Sequence, residues 1–302
     1  MRNPRVPTPK ISGAARAFAV FLPKNPGTDT LRIIVSDVMT TLDSKFEKRS
    51  VLYYSGTPTV DGAASAGPAR GNPSSTTGKT TYSGATTISA RSGDPAANNR
   101  VWVRPLFPEN SRVVLVNFRR NNEVEDSYGL MHGTSGFSTD NAGYIGHYRT
   151  EVIPTNSQAT DHFVTALEVT PGGAAASSVT ERIPGVNYRG ARIGDRIAVF
   201  GISDIAPGGS FVIPTAGTYR VLLANMGPGA SRTLAGGASI TRMTDVASGG
   251  SSNFSANGQG VLYLDVVVGS SGSGPANTIT IGTAVGVVQP PPQAPSSLRI
   301  IR

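Results

Sequence analysis

Between positions 208 and 288 the chain reads GGSFVIP, AGTYRVLLAN, GVLYLDVVVG and NTITIGTAVGVV. These are short aliphatic and aromatic runs, each closed by Gly, Ser, Pro or Asn. Within 260–269, Leu262, Leu264, Val266 and Val268 fall on one side of a two-residue period, and Tyr263 and Asp265 on the other. That period predicts a strand with an inward aliphatic row. Further strands are expected at 31–35 (LRIIV), 51–54, 101–103 around the lone Trp102, 112–118 (RVVLVNF), 161–170 (DHFVTALEVT) and 193–200. In 161–170, Phe163, Leu167 and Val169 share one face, with His162 and Glu168 on the other. No helical pattern separates the C-terminal runs, so the expected class is mainly β: an antiparallel β-sandwich of jelly-roll type, as one or two sandwich domains.

One short helix is predicted, over 36–48. Ser36 is placed to cap it, Asp37 suits the positive end of its dipole, and Lys45, Lys48 and Arg49 suit the other end. Val38, Leu42 and Phe46 recur at i, i+4 and i+8.

The pattern also divides the chain. Residues 1–30 read as a basic N-terminal arm, with Pro4, Pro7 and Pro9 favouring an extended backbone. A β-rich domain is expected over 31–175, interrupted at 55–99 by a long Gly/Ser/Thr-rich excursion with weak strands near 80–82 and 86–90. The stretch PGGAAASS at 171–178 reads as a linker, and 176–288 as a second β-sandwich block. The tail 289–302, QPPPQAPSSLRIIR, opens with a polyproline spacer and ends in an apolar strand candidate formed by Leu298, Ile300 and Ile301. A stiff spacer ending in such a strand suits addition to a neighbour's sheet edge.

Composition sharpens this picture. Charged residues make up only 15%, against about 25% in an ordinary globular domain, while 36 Gly and 22 Pro fill out the chain. A surface with so little charge suits close contact with neighbouring subunits. There is no cysteine, which excludes disulfides and thiolate metal sites. The net charge is +8, and nine basic residues against four acidic ones place +5 of it in the first 49 positions. Arg2, Arg5, Lys10 and Arg16 are therefore the candidate contacts to nucleic-acid phosphates, which would be non-specific and salt-sensitive. No apolar run approaches the roughly 18 residues of a membrane span, and no secretory signal is expected.

Catalytic motifs are weak. GNPSSTTGKT at 71–80 ends like a phosphate-binding loop, but Pro73 stands where the pattern needs Gly, with no strand before it and no helix after it. No serine has Gly both two positions before and two positions after it, as the G-x-S-x-G hydrolase elbow requires; His132 with Ser135 makes no triad. His132, His147 and His162 lack metal-ligand spacing. The dense acidic group Glu123, Glu125 and Asp126 is a calcium candidate or a charged hairpin tip beside Arg119 and Arg120. No enzyme activity and no cofactor are expected.

The segment FVIPTAGTYRVLL at 211–223 resembles the strand–turn–strand of jelly-roll and related β-sandwich modules, with Gly217 allowing the turn and Tyr219 burying its ring. Together with the basic Pro-rich arm, the Gly/Ser/Thr-rich body and the C-terminal arm, the chain resembles a capsid protein of an icosahedral virus or phage. That resemblance implies a virion protein whose partners are other copies of itself, other virion proteins and genomic nucleic acid, with no membrane. The competing expectation is an extracellular or cell-surface carbohydrate- or receptor-binding module, with Tyr128, Phe137, Tyr144 and Tyr148 as the stacking aromatics.

Overall fold

A computed structural model describes residues 11–23, 25, 30–54, 56–61, 63–67, 79–84, 87–91, 98–117, 119–120, 123–125, 131–133, 148–176, 178–203, 205–236, 239–242, 253–269, 271–283, 285 and 300–301. Among these the protein is built from strands, with two single-turn 3-10 segments, Pro171–Gly173 and Pro275–Asn277. It divides into two units. The first comprises Met1–Arg16, Asp37–Phe163 and Pro171–Ala174; the second comprises Ala17–Ser36, Val164–Thr170 and Ala175–Arg302.

The second unit holds a β-sandwich. One sheet has six strands in the order Thr180–Ile183, Tyr188–Ile193, Arg196–Gly201, Gly217–Ala224, Leu262–Val268 and Ser239–Arg242. The other has five, in the order Gly185–Val186, Gly209–Val212, Thr278–Ile281, Ser231–Gly236 and Asn253–Ser255. Neighbours run antiparallel except Arg196–Gly201 beside Gly217–Ala224, which are parallel. The expected inward row holds: Leu262, Leu264, Val266 and Val268 join Ile197, Val199, Val221 and Leu223 against Phe211, Leu234, Phe254, Ile279 and Ile281. Each such side chain stabilises the fold by about 1.5–3 kcal/mol when fully buried.

The six-stranded sheet is covered on its reverse face as well. Ala191, Ile193, Ala198, Phe200, Leu222 and Tyr263 alternate with the core residues and are buried too. Burial on both faces explains why RIAVF and YRVLLA read as nearly continuous apolar runs. The same unit includes Ala17–Ser36, and from it Arg32 donates from Nε to Ser178 Oγ at 3.1 Å and lies 3.6 Å from Asp195. At the turn into Gly217–Ala224, Gly217 has φ +155°, and a Cβ there would fall 2.8 Å from the Tyr219 hydroxyl. That hydroxyl lies 3.0 Å from the Thr215 carbonyl oxygen and accepts a bond from Arg192 Nη1 at 2.7 Å.

The first unit contains an antiparallel five-stranded sheet, in the order Ser50–Tyr54, Tyr148–Pro154, Ser111–Asn117, Lys79–Ser83 and Ala63–Gly67. It also contains a small antiparallel sheet of Arg119–Arg120, Glu123–Glu125 and Met131–Gly133. A seven-stranded sheet runs in the order Ile300–Ile301, Ile11–Phe21, Leu31–Thr41, Thr160–Thr170, Arg100–Phe107, Ile88–Arg91 and Thr59–Val60. Its three longest strands contribute residues to both units.

Four expectations are corrected here. Residues 36–48 form no helix. Leu31–Thr41 is one strand, and 42–46 is a turn in which Asp43 Oδ1 accepts from the Lys45 amide at 3.0 Å. Ser36 and Asp37 are buried within the sheet, and Leu42, meant for an apolar helix face, is 59% exposed. The stretch expected as an arm contains the 11-residue strand Ile11–Phe21. The excursion at 55–99 contributes four strands, Thr59–Val60, Ala63–Gly67, Lys79–Ser83 and Ile88–Arg91. The face expected to be polar in Thr160–Thr170 is buried too, with His162 at 3% and Glu168 at 0% exposure.

Candidate functional site

The feature that most invites a partner is the outer edge of Ile11–Phe21. On one side this strand neighbours Leu31–Thr41. On the other, among the described residues, only Ile300 and Ile301 pair with it, in parallel register opposite Val20 and Phe21. Along this strand Ile11 and Phe18 are 62% and 47% exposed. Of the C-terminal arm residues, Ile300 and Ile301 form this short strand; Leu298 lies outside the described residues.

Arg16, on the same strand, is committed within its own sheet. Its Nε donates to Asp37 Oδ1 at 2.5 Å and its Nη2 to Asp37 Oδ2 at 2.8 Å. Asp37 is buried and also accepts from Ser50 Oγ at 2.7 Å. The hydrogen bond to Asp37 raises the Arg16 pKa above its ordinary value against the opposing pull of partial burial. A guanidinium used in this bidentate way is occupied by a carboxylate. Arg2, Arg5 and Lys10 lie outside the described residues.

Beyond Asp37, the first unit carries a buried ion pair and a chain of charge that runs from the buried Arg149 and Glu151 out to the exposed Glu47. Lys48 Nζ is 3.0 Å from Asp161 Oδ2, both side chains under 5% exposed. It also donates to Thr41 Oγ1, the Phe46 carbonyl, Ser157 Oγ and the Gln158 carbonyl at 2.5–3.2 Å. The chain of charge alternates in sign. Arg149 Nε donates to Glu151 Oε1 at 2.8 Å, Arg49 Nη1 to Glu151 Oε2 at 2.6 Å, and Arg49 and Arg112 both reach Glu47. Cross-strand pairing positions it, since Arg149 and Glu151 alternate on one face of Tyr148–Pro154 opposite Val116 and Val114. Nothing in the sequence marked the pairs Lys48–Asp161 and Arg49–Glu151, whose members lie more than 100 positions apart.

Tyr54 marks the opposite face of the same sheet. Its hydroxyl is 2.9 Å from Thr150 Oγ1. Burial pushes its pKa up to about 12 from 10, only partly offset by the bond to Thr150. The unfolded chain ionises near pH 10 while the folded chain holds its proton, so this group's contribution is intact below pH 10 and drains away up to pH 12. Two pH units correspond to about 3 kcal/mol. Chemical denaturation at pH 9 to 12 should show this decline in the wild type and a shallower one in Tyr54→Phe; equal slopes would disprove it.

In the second unit one buried cation is held by carbonyl oxygens. Arg232 is 1% exposed. Its Nε donates to the Met226 carbonyl at 2.8 Å, Nη2 to the Ala206 carbonyl at 2.7 Å, and Nη1 to the Gly282 carbonyl at 3.1 Å. The Tyr188 hydroxyl lies 3.4 Å from Nη1. The guanidinium thus ties three loop segments together at one end of the sandwich.

The remaining candidates are placed as follows. Glu123 and Glu125 sit on a three-residue strand, paired with Gly133 and Met131; Asp126 lies outside the described residues. Among the described residues no group of three His, Asp or Glu side chains could hold a metal. Tyr148 is half-buried at the start of its strand, paired with Tyr54 and Asn117. Tyr128, Phe137 and Tyr144 lie outside the described residues. No described helix is long and apolar enough to cross a membrane. In comparisons with known proteins, the chain matches no family model and no curated protein.

Proposed function

We propose that this chain is a virion structural protein, a capsid protein that assembles with copies of itself through β-sandwich bodies and terminal arms. One observation carries the reading: the end of the chain, Ile300–Ile301, is added as a strand to the outer edge of Ile11–Phe21. Strand addition at a sheet edge supplies affinity through main-chain hydrogen bonds and is readily exchanged between identical subunits. The low charge of the chain and the sandwich in its second unit support the same reading.

In such a shell the basic N-terminal residues Arg2, Arg5 and Lys10 face the packaged genome and contact phosphates without reading sequence.

Removal of residues 289–302 is expected to leave the sandwich folded, by circular dichroism and cooperative melting, while electron microscopy shows closed shells for the full chain and none for the truncation. Normal shells from the truncated chain would remove the role of the arm. A full-length monomer showing saturable glycan binding that is lost on Tyr144→Ala would replace the capsid reading with the carbohydrate-binding one.

A further inference from the structure

The dipeptide Asn-Gly occurs once in the chain, at Asn257–Gly258, where Asn253–Ser255 of one sheet of the sandwich turns over into Leu262–Val268 of the other. The turn is folded around the Asn257 side chain. Its Oδ1 accepts from the Gln259 amide at 2.9 Å and from the Val261 amide at 3.0 Å. The main chain closes the same turn: the Asn257 amide donates to the Val261 carbonyl at 3.0 Å, and the Gly260 amide to the Asn257 carbonyl at 2.9 Å. The bond from the Gln259 amide closes a ring that contains both Asn257 Cγ and the Gly258 nitrogen, so the carboxamide is folded back over the peptide joining residues 257 and 258. Among the described residues, neither Asn257 Nδ2 nor the Gly258 amide makes a hydrogen bond. Gly258 is exposed, and a Cβ built on it would meet nothing within 4 Å.

We propose that Asn257–Gly258 is a self-modifying site, at which the folded chain turns its own asparagine into aspartate and isoaspartate. The Gly258 nitrogen gives its proton to hydroxide and bonds to Asn257 Cγ, and the electron pair of the Cγ–Oδ1 double bond moves onto Oδ1. The Gln259 and Val261 amides already stand at that oxygen, within the roughly 2.7–3.1 Å at which backbone donors hold an oxyanion. The oxyanion then collapses and the Cγ–Nδ2 bond breaks. Nδ2 leaves as ammonia, taking a proton from water and regenerating the hydroxide. One water opens the cyclic imide that remains: attack at Cγ gives aspartate, and attack at the main-chain carbonyl carbon of residue 257 gives isoaspartate. Nothing is oxidised or reduced. Reacting atoms held close beneath donors aimed at the developing charge are the means by which enzyme sites speed acyl transfer. The two products leave different turns behind. Aspartate keeps the backbone, and its carboxylate accepts from the same two amides more strongly than the carboxamide did. Isoaspartate routes the main chain through Cβ and Cγ, so the carbonyl that accepts from the Gly229 and Gly260 amides becomes a pendant carboxylate. The Gly260 carbonyl in turn accepts from the Met226 amide at 2.9 Å, and the Met226 carbonyl is one of the acceptors of Arg232. The isoaspartate form should therefore loosen the loops that Arg232 ties together.

The test follows the full-length chain over time in mildly alkaline buffer, folded and, in parallel, unfolded in guanidinium. Peptides cut at acid pH are mapped by mass spectrometry, which reads the amide-to-acid change at position 257 and separates aspartate from isoaspartate by fragmentation. Conversion should run about tenfold faster in the folded chain. That is below the roughly hundredfold to thousandfold that one such donor contributes in an enzyme site, because this turn is open to water. Gly258→Ala has room for its methyl group; it should melt as the wild type does and lose most of the conversion, because the methyl crowds the attacking nitrogen. Asn257→Asp, which carries the aspartate product from the start, should melt at or above the wild-type midpoint. Aged protein enriched in isoaspartate should melt below it. Conversion no faster in the folded chain than in the unfolded one would overturn the proposal, as would conversion undiminished in a folded Gly258→Ala protein. Isoaspartate-rich protein that melts with the unaged sample would remove the link to Arg232.

Discussion

Lys48→Met should lower the unfolding free energy by about 3–5 kcal/mol, the range observed when one partner of a buried ion pair is removed. The substitution keeps much of the side-chain length and loses the charge. It strands Asp161, whose other donors are the Ser157 hydroxyl at 3.2 Å and the Gln158 amide at 3.3–3.4 Å. Those contacts are too long to replace an ammonium at 3.0 Å. Five oxygen atoms gathered around Lys48 Nζ would lose their donor together. The companion measurement is the double variant Lys48→Met with Asp161→Leu. Removing both charges removes both desolvation penalties, so this protein should recover most of the loss. Urea denaturation with a double-mutant cycle reads both outcomes. A single variant within about 1 kcal/mol of wild type would mean that the pair is hydrated and of little consequence.

The second large effect is expected at Arg232. Arg232→Leu fills part of the volume but leaves the carbonyl oxygens of Met226, Ala206 and Gly282 without their common donor. Each unsatisfied buried acceptor costs about 1–3 kcal/mol. Partial relaxation toward water brings the expected loss to roughly 3–4 kcal/mol, at the upper end for point substitutions. Arg232→Lys should fall between the two, because one ammonium cannot reproduce the planar fork that serves three directions. Guanidinium melts of the three proteins give the ranking. Equal stability of the Lys variant and the wild type would show that charge alone, and not the fork, holds the loops. Arg232 also lowers the Tyr188 pKa by its charge, against the larger upward push of burial, so its loss should raise that pKa further.

Much of the second unit was legible in the sequence because its strands are buried on one or both faces, and burial writes itself as apolar periodicity. Leu262–Val268 shows it on one face; Arg196–Gly201 shows it on both. The helix expected at 36–48 failed for a simple reason. Of Val38, Leu42 and Phe46, only Val38 lies on the strand Leu31–Thr41; Leu42 and Phe46 fall in the turn after it, so their four-residue spacing marks no common face. What fixed the strand was Asp37, whose partners Arg16 and Ser50 lie 21 positions before it and 13 after it. Local capping logic has no access to such a partner. The strands of 55–99 were obscured because Ala63–Gly67 and Lys79–Ser83 are built from small and hydroxylated residues with little apolar signal. Of the site residues, the C-terminal strand could be read from its isolated apolar end. The place of Ile11–Phe21 beside Ile300–Ile301 and Leu31–Thr41 could not, because it depends on where the other strands go.

The interleaving of the two units has a consequence for the order in which the protein can be made. A ribosome delivers every residue of the first unit once position 174 has emerged, but Ala17–Ser36 and Val164–Thr170 belong to a unit whose remainder is 175–302. At ordinary rates of synthesis that remainder takes roughly 6–25 s to appear. Throughout that interval strand segments of the second unit wait without the sheets that will bury them, including the buried Val20, Phe21, Ile34 and Val164. Nascent chains on crowded polysomes thus hold their stickiest segments exposed at high local concentration. The timing favours a chaperone that holds the N-terminal strands until residues 175–302 have arrived.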